Sequence, residues 1–209
     1  MTAAGVPGRD GAPVPPAPGA ALLELVAVMD RLRSPGGCPW DARQTHASLV
    51  PYALEEAYEL AEAIEADDRA GVREELGDLL LQVVFHARVA QEDGDDPFDV
   101  DDVARDLVAK LVRRHPHVFA DARAADDDEG LHVQWDALKK QEKQRASALD
   151  GVPLALGALA RAQKLAGRAE RAGLELPAPA GDTLGDRLLA LVLEARRAGV
   201  DAEGELRRT

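Results

Sequence analysis

An all-α fold is what this 209-residue chain predicts, and three observations predict it. Leu, Val and Ala recur at spacings of three and four along most of its length, the period of a helix with one buried face. Alternating β-branched runs, the mark of strands, are missing. The breaks between periodic stretches carry helix punctuation: capping residues before them, Gly and Pro after them. Aromatic residues make up only 3% of the chain, so aliphatic side chains must fill its core.

Residues 1–19 are rich in Pro, Gly and Ala, with almost nothing to bury, and read as a disordered tail. Leu22, Leu25, Val26, Met29 and Leu32 then predict a first helix over about 20–33, ended by Ser34-Pro35-Gly36-Gly37. Cys38-Pro39-Trp40-Asp41 follows as an irregular turn. Thr45 is placed to cap the next helix, with Pro51 in its early part, where proline is tolerated. That helix runs to about Asp67, with Leu54, Ala57, Tyr58, Ala61 and Ile64 on an apolar side and Glu55, Glu56, Glu59 and Glu62 on an acidic one. A third helix, about 69–92, carries the wide stripe Leu76, Leu79, Leu80, Val83, Val84 and Ala87. Such a stripe needs cover from a partner chain or from several further helices.

After the loop Gly94–Pro97, Asp99 fits an N-cap, with Phe98 and Val103 as a hydrophobic staple. The helix it opens carries Val103, Leu107 and Leu111 and stops near Pro116. Residues 121–130 read as an acidic loop, and about 131–149 as a polar helix containing Trp135 and Lys139. Gly151-Val152-Pro153 marks a boundary. Beyond it the pattern predicts helices over about 154–172 and 183–198, closed by Gly173 and Gly199, and a last short helix capped by Asp201.

The totals narrow the function. A formal net charge of −13 argues against general nucleic-acid binding, which needs Lys and Arg to neutralise phosphates. Cys38 is the single cysteine, which excludes an intrachain disulfide and fits a reducing cytoplasm. No signal peptide is visible, and the first apolar run, near 20–29, contains Glu24 and is too short to span a bilayer.

The chemistry-bearing stretch lies between Glu55 and Asp78. Glu56 and Glu59 are three apart on one helix, and Glu75 and Asp78 three apart on the next, so each pair shares a face. Helices joined this closely fold back antiparallel, which can bring four carboxylates into one small volume. Crowded like charges are unfavourable unless a cation neutralises them, and an oxygen-only donor set suits Mg²⁺ or Mn²⁺. A solvated acidic face is the competing reading. Glu75 and Asp78 border the most apolar helix of the chain, where a carboxylate needs a partner, but on the residues alone both readings stand. Lys110, Arg113 and Arg114 end a helix, where cations complement the dipole. Cys38, His115 and His117 lack the spacing of a zinc site, and His46 and His86 read as packing or capping residues.

These blocks together resemble the MazG family of nucleoside triphosphate pyrophosphohydrolases. The similarity is carried by Glu55-Glu56-x-x-Glu59 with Glu75-x-x-Asp78, by Cys38-Pro39-Trp40-Asp41 with Gln44-Thr45-His46, by the run Glu74 to His86, by Arg113-Arg114-His115-Pro116-His117-Val118-Phe119, and by Trp135 with Lys139 and Gln141-Glu142-Lys143. It covers about 20–150. The resemblance implies an all-α NTP pyrophosphatase bundle completed by dimerisation, as a homodimer or a dimer of dimers. It implies Mg²⁺-dependent cleavage of (d)NTPs to the monophosphate and pyrophosphate, with Mn²⁺ an acceptable substitute. Glu56, Glu59, Glu75 and Asp78 would be metal ligands, with Glu55 supporting them or orienting the attacking water. Lys110, Arg113, Arg114 and Lys139 would meet phosphates, a role for which the arginine fork is suited, and Trp135 would stack on the base. The family also implies removal of aberrant or oxidised nucleotides, or control of guanosine tetraphosphate.

Residues 151–209 open like a second copy of the domain, with Arg161-Ala162-Gln163-Lys164-Leu165-Ala166, yet lack its acidic pairs, and read as a degenerate copy. A helical regulator that kept the fold without catalysis is the alternative to an enzyme. No membrane association is expected.

Overall fold

The computed structural model describes residues 19–120, 130, 147–176 and 179–209. Among these, every regular element is helical. The chain divides into two compact units, one up to Leu111 and one from Val112.

In the first unit, α1 spans Ala20–Arg33, α2 His46–Glu65, α3 Arg69–Ala90 and α4 Val100–Arg114, whose last turn passes the unit boundary. A single 3₁₀ turn, Asp41–Arg43, separates α1 from α2. The caps explain the starts. Thr45 and Ser48 form a reciprocal capping box, each side chain accepting from the other's backbone N–H. Asp68 accepts from the Ala70 N–H at the start of α3, and Asp99 and Asp102 cap α4 reciprocally. The predicted staple is different: Phe98 and Val103 are both exposed.

Antiparallel packing of α2 on α3 is the main tertiary contact of this unit. Asp67, at φ 55°, turns the chain between them. Gly71 sits so close to α2 that a Cβ there would lie 3.2 Å from the Ala63 Cβ and 2.7 Å from an Asp68 carboxylate oxygen. Small residues thus set the separation at the turn end. At the other end, His46 meets His86. One antiparallel register joins these two points and fixes which residues face each other between them.

The core gathers Met29, Leu49, Val84 and Phe85, with Leu25, Val26, Leu32, Leu80, Leu81, Val89 and Val100 around it. Arg33 locks it. Its guanidinium is buried, forks onto the Glu92 carboxylate at 3.1 and 2.7 Å, donates to the Asp41 and Gln44 carbonyls, and lies 5.6 Å from the Phe85 ring centre. Arg33→Met should destabilise the protein by about 2–3 kcal/mol, because the buried fork is lost: the Gln44 carbonyl loses its side-chain donor, the Asp41 carbonyl keeps only the Gln44 N–H, and Glu92 keeps only Arg88. Hydrogen bonding from Arg33 holds the Glu92 carboxyl below its ordinary range. Its contribution is therefore present above the ordinary carboxylate pKa and is lost as pH falls through the lowered one. Urea melts across that acidic window should show a shallower pH dependence in Arg33→Met than in the wild type.

The expected apolar sides are not all covered. Leu54, Tyr58 and Ile64 of α2 are 55%, 60% and 58% exposed, and Leu76 and Val83 of α3 are 52% and 43% exposed. The α3 stripe is buried only in part, mainly at Val84, Phe85, Ala87 and Ala90.

The second unit holds a short helix α5 (Pro116–Phe119), then α6 (Ala158–Arg171), α7 (Leu184–Arg197) and α8 (Ala202–Arg208). The predicted loop over 121–130 and helix over 131–149 lie largely outside the described residues; Ser147–Asp150 is a turn. Helices α6, α7 and α8 pack on one another around Ala166, Ala169 and Val192. Glu203 accepts from the Ala160 N–H at the start of α6, and the Gln163 carboxamide bridges the Val200 carbonyl and the Ala202 N–H. Asp201 occupies the N-cap position of α8 without a capping bond from its side chain, while Thr183 and Asp186 form a capping box on α7.

Candidate metal centre

The α2–α3 register sets Glu56 opposite Glu75 and Asp78. Ligand oxygens of these three residues lie within 4.8 Å of one another, and all three side chains are half-buried. Among the described residues no other group of three His, Cys, Asp or Glu converges in this way. Glu59, one turn after Glu56, is exposed at the edge of the cluster, as is Glu55. The ligand oxygens that converge are those of Glu56, Glu75 and Asp78, and Glu59 stands at the edge of the cluster, close enough to act on Glu56 and Glu75.

The electrostatics follow from the packing. Partial burial, then Asp78, Glu59, Glu75 and Glu55, raise the Glu56 carboxyl above its ordinary pKa. Burial, then Glu59, Asp78 and Glu74, raise Glu75. Glu59 thus acts on both through space. No lysine or arginine contributes to either shift. The donor set is all oxygen and all anionic, and it fits a hard divalent cation.

Two turns beyond Asp78 on the same face of α3, His86 meets His46. Their Nδ1 atoms are 2.8 Å apart, the ring planes differ by 4°, and the centroids are 5.1 Å apart. The centroid separation exceeds the N···N distance by two ring radii, so the rings meet end to end in one plane. One Nδ1–H donates and the other Nδ1 accepts. Burial, then His46, hold His86 below its ordinary pKa. The pair packs the end of the seam, as the sequence suggested for each histidine.

Trp40 stands edge-on to Tyr52 at 5.9 Å and to Phe85 at 6.4 Å, anchoring the turn before α2 to both long helices. Lys110 and Arg114 are half-buried on α4 and Arg113 is exposed. Trp135 and Lys139 lie outside the described residues. Gln82 escaped the sequence reading. It is 7% exposed on α3, one turn after Asp78, and its Oε1 accepts no hydrogen bond. The signal was a polar residue at four-residue spacing from Asp78 inside the most apolar helix.

A family model described as the MazG nucleotide pyrophosphohydrolase domain matches residues 44–119, a span that includes every carboxylate of the cluster. A nucleoside triphosphate pyrophosphohydrolase of Escherichia coli K12 is 45% identical over 183 residues, covering 85% of this chain and 68% of that protein. The chain belongs to the MazG family. A MazG nucleoside triphosphate pyrophosphohydrolase/pyrophosphatase of Thermotoga maritima is 39% identical over 214 residues, covering 91% of this chain and 81% of that one. An uncharacterized 26.1 kDa protein of Streptomyces cacaoi is 54% identical over 192 residues, covering 91% and 78%. In this MazG chain no described helix is long and apolar enough to cross a membrane.

Proposed function

We propose that this MazG protein is a cytoplasmic, Mg²⁺-dependent pyrophosphohydrolase that cleaves (d)NTPs to (d)NMPs and pyrophosphate, clearing aberrant or oxidised nucleotides. The observation that carries the reading is the convergence of Glu56, Glu75 and Asp78 within 4.8 Å, in a family whose relatives bear that activity in their names.

Glu56, Glu75 and Asp78 are the proposed ligands, with Glu59 completing the set from its exposed edge. A bound cation would neutralise the crowded carboxylates and supply Lewis acidity toward a phosphate oxygen. The protein's own part is positioning, which is most of what phosphoryl transfer needs. Helices α2 and α3, pinned together by Ala63–Gly71 and His46–His86, hold the carboxylates at a fixed spacing. Glu55 is proposed to orient the attacking water; Lys110, Arg113, Arg114 and Lys139 to meet phosphate oxygens; and Trp135 to stack on the base. We propose further that the exposed apolar side of α2 and α3 is covered by a second copy of the chain.

Purified protein incubated with Mg²⁺ and a panel of canonical and oxidised nucleotides should release pyrophosphate and not orthophosphate. Orthophosphate as the sole product, or no product from any nucleotide, would overturn the reading. The preferred nucleotide in that panel identifies the cellular substrate class.

A further inference from the structure

Along the α2–α3 seam, the inner face of α3 carries Glu75, Asp78, Gln82 and His86 at helical spacing. Glu75 and Asp78 meet Glu56, and His86 meets His46. Gln82 lies between the two groups and has no such partner. It is 93% removed from solvent, and its Oε1 accepts no hydrogen bond from the protein. A buried acceptor left unpaired is costly, and native proteins retain one where a ligand or ordered water completes it. The chain could have avoided the cost with Leu, which it uses at Leu76, Leu79, Leu80 and Leu81 around it.

The direction of the side chain narrows what completes it. Helical side chains lean toward the helix N-terminus and cover the preceding turn. For Gln82 that turn holds Asp78, whose Cβ is about 6 Å away at i,i+4 spacing. On this geometry Gln82 covers the turn that holds Asp78 and is next to the carboxylate cluster on the inner face of α3. A carboxamide oxygen is neutral, so it adds an acceptor there without adding to the repulsion among Glu56, Glu75 and Asp78. Mg²⁺ and Mn²⁺ held by few carboxylates keep several waters, and each water is a donor that needs an acceptor.

We propose that Gln82 is a positioning residue of the cation site: its Oε1 accepts a hydrogen bond from the hydration shell of a divalent cation held by Glu56, Glu75 and Asp78. The proposal rests on the cation reading given above. Gln82 then has opposite roles in two states. Without cation its unpaired oxygen destabilises the seam. With cation it orders the hydration shell and tightens binding.

The test uses the full chain and the cation alone, Mn²⁺ or Mg²⁺ without nucleotide, with binding followed by titration calorimetry and apo melting followed by circular dichroism. Gln82→Leu should melt higher than the wild type without cation and should bind cation about tenfold or more weakly, the size of loss typical when a group supporting metal ligands is removed. Gln82→Glu, which keeps an acceptor oxygen, should bind cation at least as tightly as the wild type. A Gln82→Leu protein with wild-type cation affinity would overturn the proposal, as would one that melts lower than the wild type without cation, since Gln82 would then be a packing residue. Wild-type protein that binds neither cation would overturn the cation reading along with it, which separates the two failures.

Discussion

Asp78→Ala should lower pyrophosphate release by more than about 100-fold, beyond the 10–100-fold typical of losing a group that only supports metal ligands, while far-UV circular dichroism stays helical. Asp78 is half-buried, faces Glu56 across the seam one turn after Glu75 on α3, and sits on the helix that is pinned at both ends. Removing its carboxylate deletes one of the three converging donors without opening the core, which is built from Met29, Leu49, Val84 and Phe85. Apo stability should not fall and should rise, because a crowded anion has gone. That pairing of lost turnover with gained apo stability separates a functional carboxylate from a structural one. Glu59→Ala should also lose activity, with a smaller effect on apo melting, since Glu59 is exposed. Full activity in both variants would show that the ligands lie elsewhere.

Glu56 and Glu75 titrate above the ordinary carboxylate range in the folded apo protein. Between the raised and the ordinary values the folded state binds more protons than the unfolded state, so apo stability falls as pH rises through that window. After burial, Asp78 is the largest contributor to the Glu56 shift. The fall should therefore be shallower in Asp78→Ala than in the wild type when melting temperature is followed against pH in chelator.

Local punctuation made most of the fold legible. Thr45 and Asp99, read as caps from the sequence, begin helices through bonds to backbone three residues on, and Asp68 and Thr183 with Asp186 do so by the same local chemistry. The acidic pairs were legible for the same reason, since spacing along one helix fixes direction. Which members meet was not. That depends on the register between α2 and α3, set by Ala63 against Gly71 and by His46 against His86, contacts that no local pattern encodes. The register favours Glu56 over Glu59, and it brings Gln82 onto the line of the cluster. Arg33 was equally hidden: an arginine in the last turn of a helix reads as a dipole cation until its partners, 8 to 59 residues away, are known.

Periodicity marked an apolar side of α2, but it cannot say what, if anything, covers it. Leu54, Tyr58 and Ile64 are more than half exposed on α2, where Val50 is also exposed, and Leu76 and Val83 are exposed by at least 43% on α3. These side chains leave more apolar surface open on α2 and α3 than scattered surface leucines would make. Its residues repeat every three to four positions on a rigid hairpin, which suits packing of helix on helix about a two-fold axis, where each copy offers the same face. Light scattering on the full chain should therefore give at least twice the monomer mass. Tyr58→Glu combined with Leu76→Glu would place two desolvated carboxylates at the centre of each copy's contact, and four across the axis. That variant should sediment as a monomer while far-UV circular dichroism stays helical. A wild-type monomer at micromolar concentration would refute the shared face, and a double variant that keeps the wild-type mass would place the contact elsewhere on the chain. Because Glu55, Glu59 and Glu62 occupy another side of α2 than Leu54 and Ile64, the association would bury the apolar side and leave the acidic edge open to nucleotide.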